Sequence, residues 1–185
     1  YTPQKLTAYT NDAGGVIERL GIYEDVKGGA LYLKLLPKTD VGNVMEGQLL
    51  IKDMRAVKAP VIARILDALS FDGISQLFDK EKKGLLFNRI ATNVTWDKTP
   101  KKEVLKLREG KTKSESLGLT FDGNYYFTTG KAEINGTIVP VSDVNNFLAS
   151  IPLIGDIITM GAGDSIFAAT YTVLKKPDAK WNGRA

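Results

Sequence analysis

Apolar and polar positions alternate with a period of two along most of this chain, and that period breaks at two prolines. Over 30–36, Leu31, Leu33 and Leu35 oppose Tyr32, Lys34 and Leu36. Over 44–57, Met45, Gly47, Leu49, Ile51 and Asp53 oppose Val44, Glu46, Gln48, Leu50 and Lys52. Such alternation predicts strands with one buried face. A weaker run covers 6–10, and further runs cover 84–95, 104–108, 116–121, 125–129 and 131–139. Gly110, Asp122-Gly123 and Gly130 separate the later runs, and Asp-Gly between alternating segments predicts a hairpin turn. A last strand is expected over 165–174. The expectation is short antiparallel strands at regular spacing, without the strand–helix–strand rhythm of a parallel sheet.

Three segments carry a helical period. Asn11 or Asp12 can cap a short helix over 13–20 that buries Val16, Ile17 and Leu20 and stops at Gly21. After Pro60, Ile62, Ile65, Leu66 and Leu69 fall at i, i+3, i+4 and i+7, and Ile74, Leu77 and Phe78 extend the stripe past Gly73. Arg64, Asp67 and Gln76 lie off it. After Pro140, Ser142 or Asp143 can cap a helix carrying Val144, Phe147, Leu148 and Ile151. Beyond Pro152 the stripe continues through Leu153, Ile154, Ile157 and Ile158, with Asp156 as its one charge. A stripe with so little polar face favours burial in a groove or against a partner over lying in a bilayer interface. The plainer alternative is a core helix packed on a sheet.

Composition narrows the function classes. The 185 residues are 43% hydrophobic and 25% charged, which suits one globular domain over 1–185 with a polar tail from about 175. Net charge is +4, and its densest part is Lys98, Lys101, Lys102, Lys106, Arg108, Lys111 and Lys113. Asp97, Glu103, Glu109 and Glu115 interleave with these bases, so the run reads as the solvated face of a strand pair and its turn, not as a nucleic-acid site. The chain has no Cys and no His, which removes thiol nucleophiles, imidazole bases and the usual zinc ligands. No apolar run reaches the length of about 18 residues that a spanning helix needs.

Catalytic strings are sparse. Gly161-Ala162-Gly163-Asp164, followed by Ser165-Ile166-Phe167, resembles the anion-hole motif of ribokinase-like sugar kinases. Those enzymes are α/β proteins with parallel sheets, and the alternation over 166–173 suits a strand, so the string reads as a glycine turn. Asp53 and Asp72 could pair as acid and base, but nothing in the spacing brings them together. No Gly-x-Ser-x-Gly or P-loop string occurs. Neither an enzymatic activity nor a cofactor or metal is expected.

Three groups of strings resemble the C-terminal region of AsmA-like envelope proteins, which are related to TamB and the bridge-like lipid-transfer proteins. The first runs from Gly15-Val16-Ile17-Glu18-Arg19-Leu20-Gly21-Ile22-Tyr23 to Val26-Lys27-Gly28-Gly29-Ala30-Leu31. The second runs from Gly47-Gln48-Leu49-Leu50-Ile51 to Ala59-Pro60-Val61-Ile62-Ala63-Arg64-Ile65-Leu66. The third joins Gly136-Thr137-Ile138-Val139-Pro140, Asn145-Asn146-Phe147-Leu148, Ile151-Pro152-Leu153-Ile154-Gly155 and Phe167-Ala168-Ala169-Thr170-Tyr171. The order holds over about 12–171 and departs at 161–164 and 98–113. The resemblance implies a mainly β fold: an antiparallel, twisted open sheet or half-barrel groove capped by amphipathic helices. It implies a periplasmic module in a Gram-negative cell, part of a longer parent held in the inner membrane by an N-terminal anchor. Phospholipid would be the ligand, guided without turnover between the membranes. Ile62, Ile65, Leu66, Leu69, Phe147, Leu148, Ile151, Leu153, Ile154 and Ile158 are the expected apolar lining, with Arg64, Lys101 and Lys102 as headgroup contacts. The alternative is an adaptor that docks an envelope or outer-membrane protein through the 142–158 helix.

Overall fold

Ten antiparallel strands in one sheet organise the computed structural model, which describes residues 5–38, 42–57, 84–99, 102–114, 117–140, 169–177 and 182–184. The strands are β1 (Leu6–Thr10), β2 (Val26–Lys27), β3 (Ala30–Pro37), β4 (Val44–Ala56), β5 (Leu85–Thr99), β6 (Lys102–Ser114), β7 (Leu117–Tyr126), β8 (Lys131–Pro140), β9 (Ala169–Lys175) and β10 (Asn182–Arg184). Their spatial order is β1-β3-β4-β5-β6-β7-β8-β9-β10, and β2 adds to the end of β4. Every pairing is antiparallel, and β1 and β10 are the free edges of an open sheet. The mainly β, antiparallel architecture is the one the alternation predicts, and an open sheet is what the resemblance implies.

The strands are longer than that expectation, and two predicted breaks lie inside them. Gly110 sits within β6 and Asp122-Gly123 within β7. The β7–β8 turn falls instead at 127–130, where the Gly130 N–H donates to the Tyr126 carbonyl at 2.8 Å and Gly130 takes φ 63°. Gly110 and Gly123 are interior because their neighbours occupy the space a side chain would fill. A Cβ on Gly110 would stand 2.4 Å from the Phe121 ring, and one on Gly123 would stand 2.9 Å from Ile134 Cγ1.

A third difference concerns phase. Asp53 was expected on the Met45–Ile51 face. It adopts φ 55°, a left-handed conformation that Asp tolerates, and the strand skips a step there. Met54 and Ala56 then turn inward beside Ile51, and Asp53 stays exposed. Burying an unpaired carboxylate would cost far more than the local backbone strain. This exposed position also leaves Asp53 far from the role of a buried acid; Asp72 lies outside the described residues.

The single helix among the described residues is α1 (Ala13–Arg19). Asp12 caps it, accepting from the Gly15 N–H at 3.0 Å. The Ala13 and Gly14 N–H groups donate to the Gly29 and Gly28 carbonyls at 2.8 and 2.9 Å, and a Cβ on Gly14 would stand 2.6 Å from Lys27 Cα. The helix start is thus pressed onto β2. Its far end is reached from the other side of the sheet: Lys175 Nζ on β9 donates to the Gly21 carbonyl at 3.1 Å, and the Tyr125 hydroxyl on β7 donates to Leu20 at 3.4 Å. In a flat sheet β4 and β9 would lie about 24 Å apart, whereas seven helical residues span about 10 Å. The sheet therefore curls toward α1, and the face that carries the helix is concave.

Candidate functional site: the concave apolar face

Strand register turns the alternation into continuous apolar rows. One row runs Leu31–Ile51–Ile90–Thr112–Leu119–Ile138 across β3 to β8. The next runs Leu33–Leu49–Thr92 and resumes as Gly110–Phe121–Gly136–Tyr171. A third joins Leu35, Gly47, Val94, Leu107, Gly123, Ile134 and Val173. A fourth joins Met45, Trp96, Leu105, Tyr125 and Ala132. Two packed clusters, one around Ile51, Phe87, Leu119 and Ile138 and one around Leu35, Met45 and Val94, meet at Leu33 and Leu49. Leu33, Leu49, Ile90, Leu105, Leu107, Phe121 and Ile134 are half-buried.

A bulge in β6 keeps this face apolar. Leu107 pairs with Gly123 and Gly110 with Phe121, so β6 spends one residue more than β7 there. Glu109 absorbs the step at φ 54°. Polar groups on both sides hold it. Asp122 Oδ1 accepts from the Glu109 N–H at 2.9 Å, and Asn93 Nδ2 donates to Glu109 Oε2 at 2.8 Å. Arg108 Nη1 donates to the Gly123 carbonyl at 2.8 Å, and the Thr92 hydroxyl donates to the Arg108 carbonyl at 3.0 Å. Before the bulge Leu105 and Leu107 point inward, and after it Gly110, Thr112 and Ser114 do, so Lys106, Arg108, Lys111 and Lys113 all fall on the outer face.

Aromatic rings crowd two glycines on this floor. The Phe121 ring covers Gly110, and the Tyr171 ring covers Gly136 while its hydroxyl donates to the Thr120 carbonyl at 2.9 Å. Burial pushes the Tyr171 phenol well above its ordinary range, and the Asp122 charge adds to the shift. Burial likewise raises Tyr125, and burial with Asp25 raises Tyr23 to about 12. At the rim, Trp96 Nε1 donates to Glu103 Oε1 at 2.9 Å. Among the described residues no group of acidic side chains is placed to hold a metal ion, and no helix is long and apolar enough to cross a membrane.

Of the residues singled out from sequence, only Lys102 is described; it is exposed at the start of β6, on the outer face. Ile62, Arg64, Ile65, Leu66, Leu69, Lys101, Phe147, Leu148, Ile151, Leu153, Ile154 and Ile158 lie outside the described residues, as do Gly161 to Asp164. The lining that is described belongs to the strands: Leu33, Leu49, Ile90, Leu107, Phe121 and Ile134. Its signal in the sequence is the period-two alternation, which marks the dry face of each strand. Compared with known proteins, the chain matches no family model, no curated sequence and no solved structure.

Proposed function

We propose that the chain is a non-catalytic module that holds and guides phospholipid acyl chains along the concave face, in the manner of the AsmA-like envelope proteins it resembles. The observation that carries the reading is an open sheet with apolar rows running from β3 to β9 on one side and mainly polar side chains on the other. Six strand spacings give that face about 29 Å of contour around the curl of the sheet. An acyl chain in one leaflet spans about half of a ~30 Å hydrocarbon core, so the face is large enough to cover one. Each methylene it shelters contributes about 0.8 kcal/mol, which makes a long chain a favourable occupant without any covalent step. Open edges let headgroups stay in water while the tails are covered. On this reading the parent works in the periplasm between the two membranes.

The test is photocrosslinking from positions that line the face. A photoreactive amino acid at Leu107 or Ile134 should label phospholipid, and the same group at the outward Thr95 should not. Extraction of the purified chain should recover phospholipid. A chain that is lipid-free on extraction and unlabelled at Leu107 and Ile134 sinks the proposal.

A further inference from the structure

The outer face holds a cationic row that the acyl-chain reading does not use. Lys52 on β4 pairs with Arg89 on β5, and Arg89 pairs with Lys113 on β6, so three bases stand side by side on neighbouring strands. Lys111 lies two residues along β6 on the same face. Like charges directly opposite one another destabilise a sheet. Folding alone would be better served by an acid at the middle position. Three of the carboxylates on this face have other partners: Glu46 with Lys38 at 2.7 Å, Glu109 with Asn93, and Asp122 with the Glu109 N–H. Lys52 and Arg89 have no carboxylate within ion-pair distance among the described residues.

Exposed aromatic groups flank the row. Tyr32 is 43% exposed and Tyr9 58%. The two rings pack together at 4.9 Å, and Lys52 Nζ stands 6.0 Å from the Tyr32 centroid. Amphipathic rings beside a row of cations match a bilayer surface, where phosphates meet the bases and the rings enter the headgroup layer. A single-stranded nucleic acid would need open ring faces for stacking. Here Tyr9 and Tyr32 occupy each other, and the Tyr9 hydroxyl is tied to Asn11.

We infer that the Lys52–Arg89–Lys113 row, with Tyr9 and Tyr32, docks the outer face of the sheet on an anionic phospholipid bilayer. The inference goes beyond the groove reading, since it concerns the opposite face and a surface in place of a sheltered chain.

Co-sedimentation of the full chain with vesicles tests it. The chain should bind mixed phosphatidylcholine–phosphatidylglycerol vesicles and release them in high salt, and it should leave pure phosphatidylcholine vesicles unbound. Arg89→Glu should weaken binding on the order of 25-fold, taking about fivefold for each unit of charge near an anionic surface. The same variant sets an acid between Lys52 and Lys113, so its melting temperature should equal or exceed that of the parent chain. Lys52→Gln with Lys113→Gln should weaken binding comparably and gives a second reading should Arg89→Glu fold poorly. Equal binding to neutral vesicles, unchanged binding in both variants, or capture by a single-stranded oligonucleotide without vesicle binding would overturn the inference. Labelling from Leu107 separates the two readings: lost vesicle binding with intact labelling supports docking by the outer row. Vesicle binding sensitive to Arg89→Glu in a chain that never labels lipid at Leu107 leaves this inference standing and removes the groove.

Discussion

Gly110→Ala isolates how tightly the floor of the concave face is built. Three atoms of the Phe121 ring, Cδ2, Cε2 and Cζ, would stand 2.4–2.5 Å from the added Cβ. All three belong to one side chain, so the ring must leave its place as a unit. Overpacking of this kind costs about 1–3 kcal/mol. Alanine recovers about 0.5–1 kcal/mol of the entropy that glycine loses on folding. The clash wins, and the net loss should be about 1–2 kcal/mol in urea denaturation. The mechanism has a sharper signature than the size of the loss. With Phe121→Ala already in place the obstacle is gone, so Gly110→Ala should become neutral or slightly stabilising, a coupling of at least about 1 kcal/mol. Gly136→Ala should cost more, about 2–4 kcal/mol, because a backbone oxygen, that of Thr120, lies 1.9 Å from its Cβ and the Tyr171 hydroxyl loses its bond to that same carbonyl. If Gly110→Ala costs as much without the Phe121 ring as with it, the ring does not cover the glycine and the account of the floor is wrong.

Three further outcomes follow from other parts of the sheet. Asp122→Ala leaves the Glu109 N–H of the bulge without its 2.9 Å acceptor and should cost about 1–2 kcal/mol, with faster hydrogen exchange at Glu109 as the local readout. Ser114→Ala removes the buried hydroxyl that accepts from the Leu117 N–H at 3.0 Å and should cost about 1–3 kcal/mol by the same denaturation assay. Alkaline pH should destabilise the chain. The Tyr23 and Tyr171 phenols are raised from 10.0 in the folded state, so their contribution is complete below pH 10 and is lost as pH rises through the folded values, about 12 for Tyr23 and higher for Tyr171. Tyr171→Phe should make that decline shallower, and an unchanged slope would show that Tyr171 is not its source.

Much of the architecture was legible because the sheet has one wet and one dry face, and alternation records such a face directly. The starts of β1, β3, β4 and β8 and the cap at Asp12 match the pattern. Turn chemistry misled at Gly110 and Asp122-Gly123. Both carry the residue types of a hairpin, but there glycine answers a crowding aromatic or Ile134 from the next strand, which only tertiary contact reveals. The step at Asp53 was invisible for a related reason. Strict alternation assigns every second residue inward, and nothing local marks where a strand will skip. In the sequence, apolar clustering is densest in the helical stripes, which points to them as the lining. Seen in register, the strands carry a wide apolar surface of their own, assembled from residues as far apart as Leu33 and Tyr171.

The two skipped steps make one physical argument. Continue β6 without the step at Glu109 and the inward series Leu105, Leu107 would go on to Glu109, Lys111 and Lys113. Continue β4 without the step at Asp53 and Ile51 would be followed inward by Asp53 and Arg55. Both alternatives put charge onto the concave face, at several kcal/mol for each unpaired ion taken from water. The observed steps place residues of left-handed conformation, about 1–3 kcal/mol of strain each, at Asp53 in β4 and Glu109 in β6, where these two strands change phase. Strain is the smaller term, so the steps are what a chain with this charge pattern must adopt to keep one face dry. The same step in β6 carries Lys111 and Lys113 to the outer face, where Lys113 completes the row with Arg89 and Lys52. The dry floor and the cationic row are therefore not separate features. Deletion of Glu109 takes out the extra residue itself: Arg108 would pair with Asp122 and Gly110 with Phe121, Thr112 and Ser114 would stay inward and Lys111 and Lys113 outward, so the floor and vesicle binding should both survive it, whereas Arg89→Glu should remove vesicle binding alone.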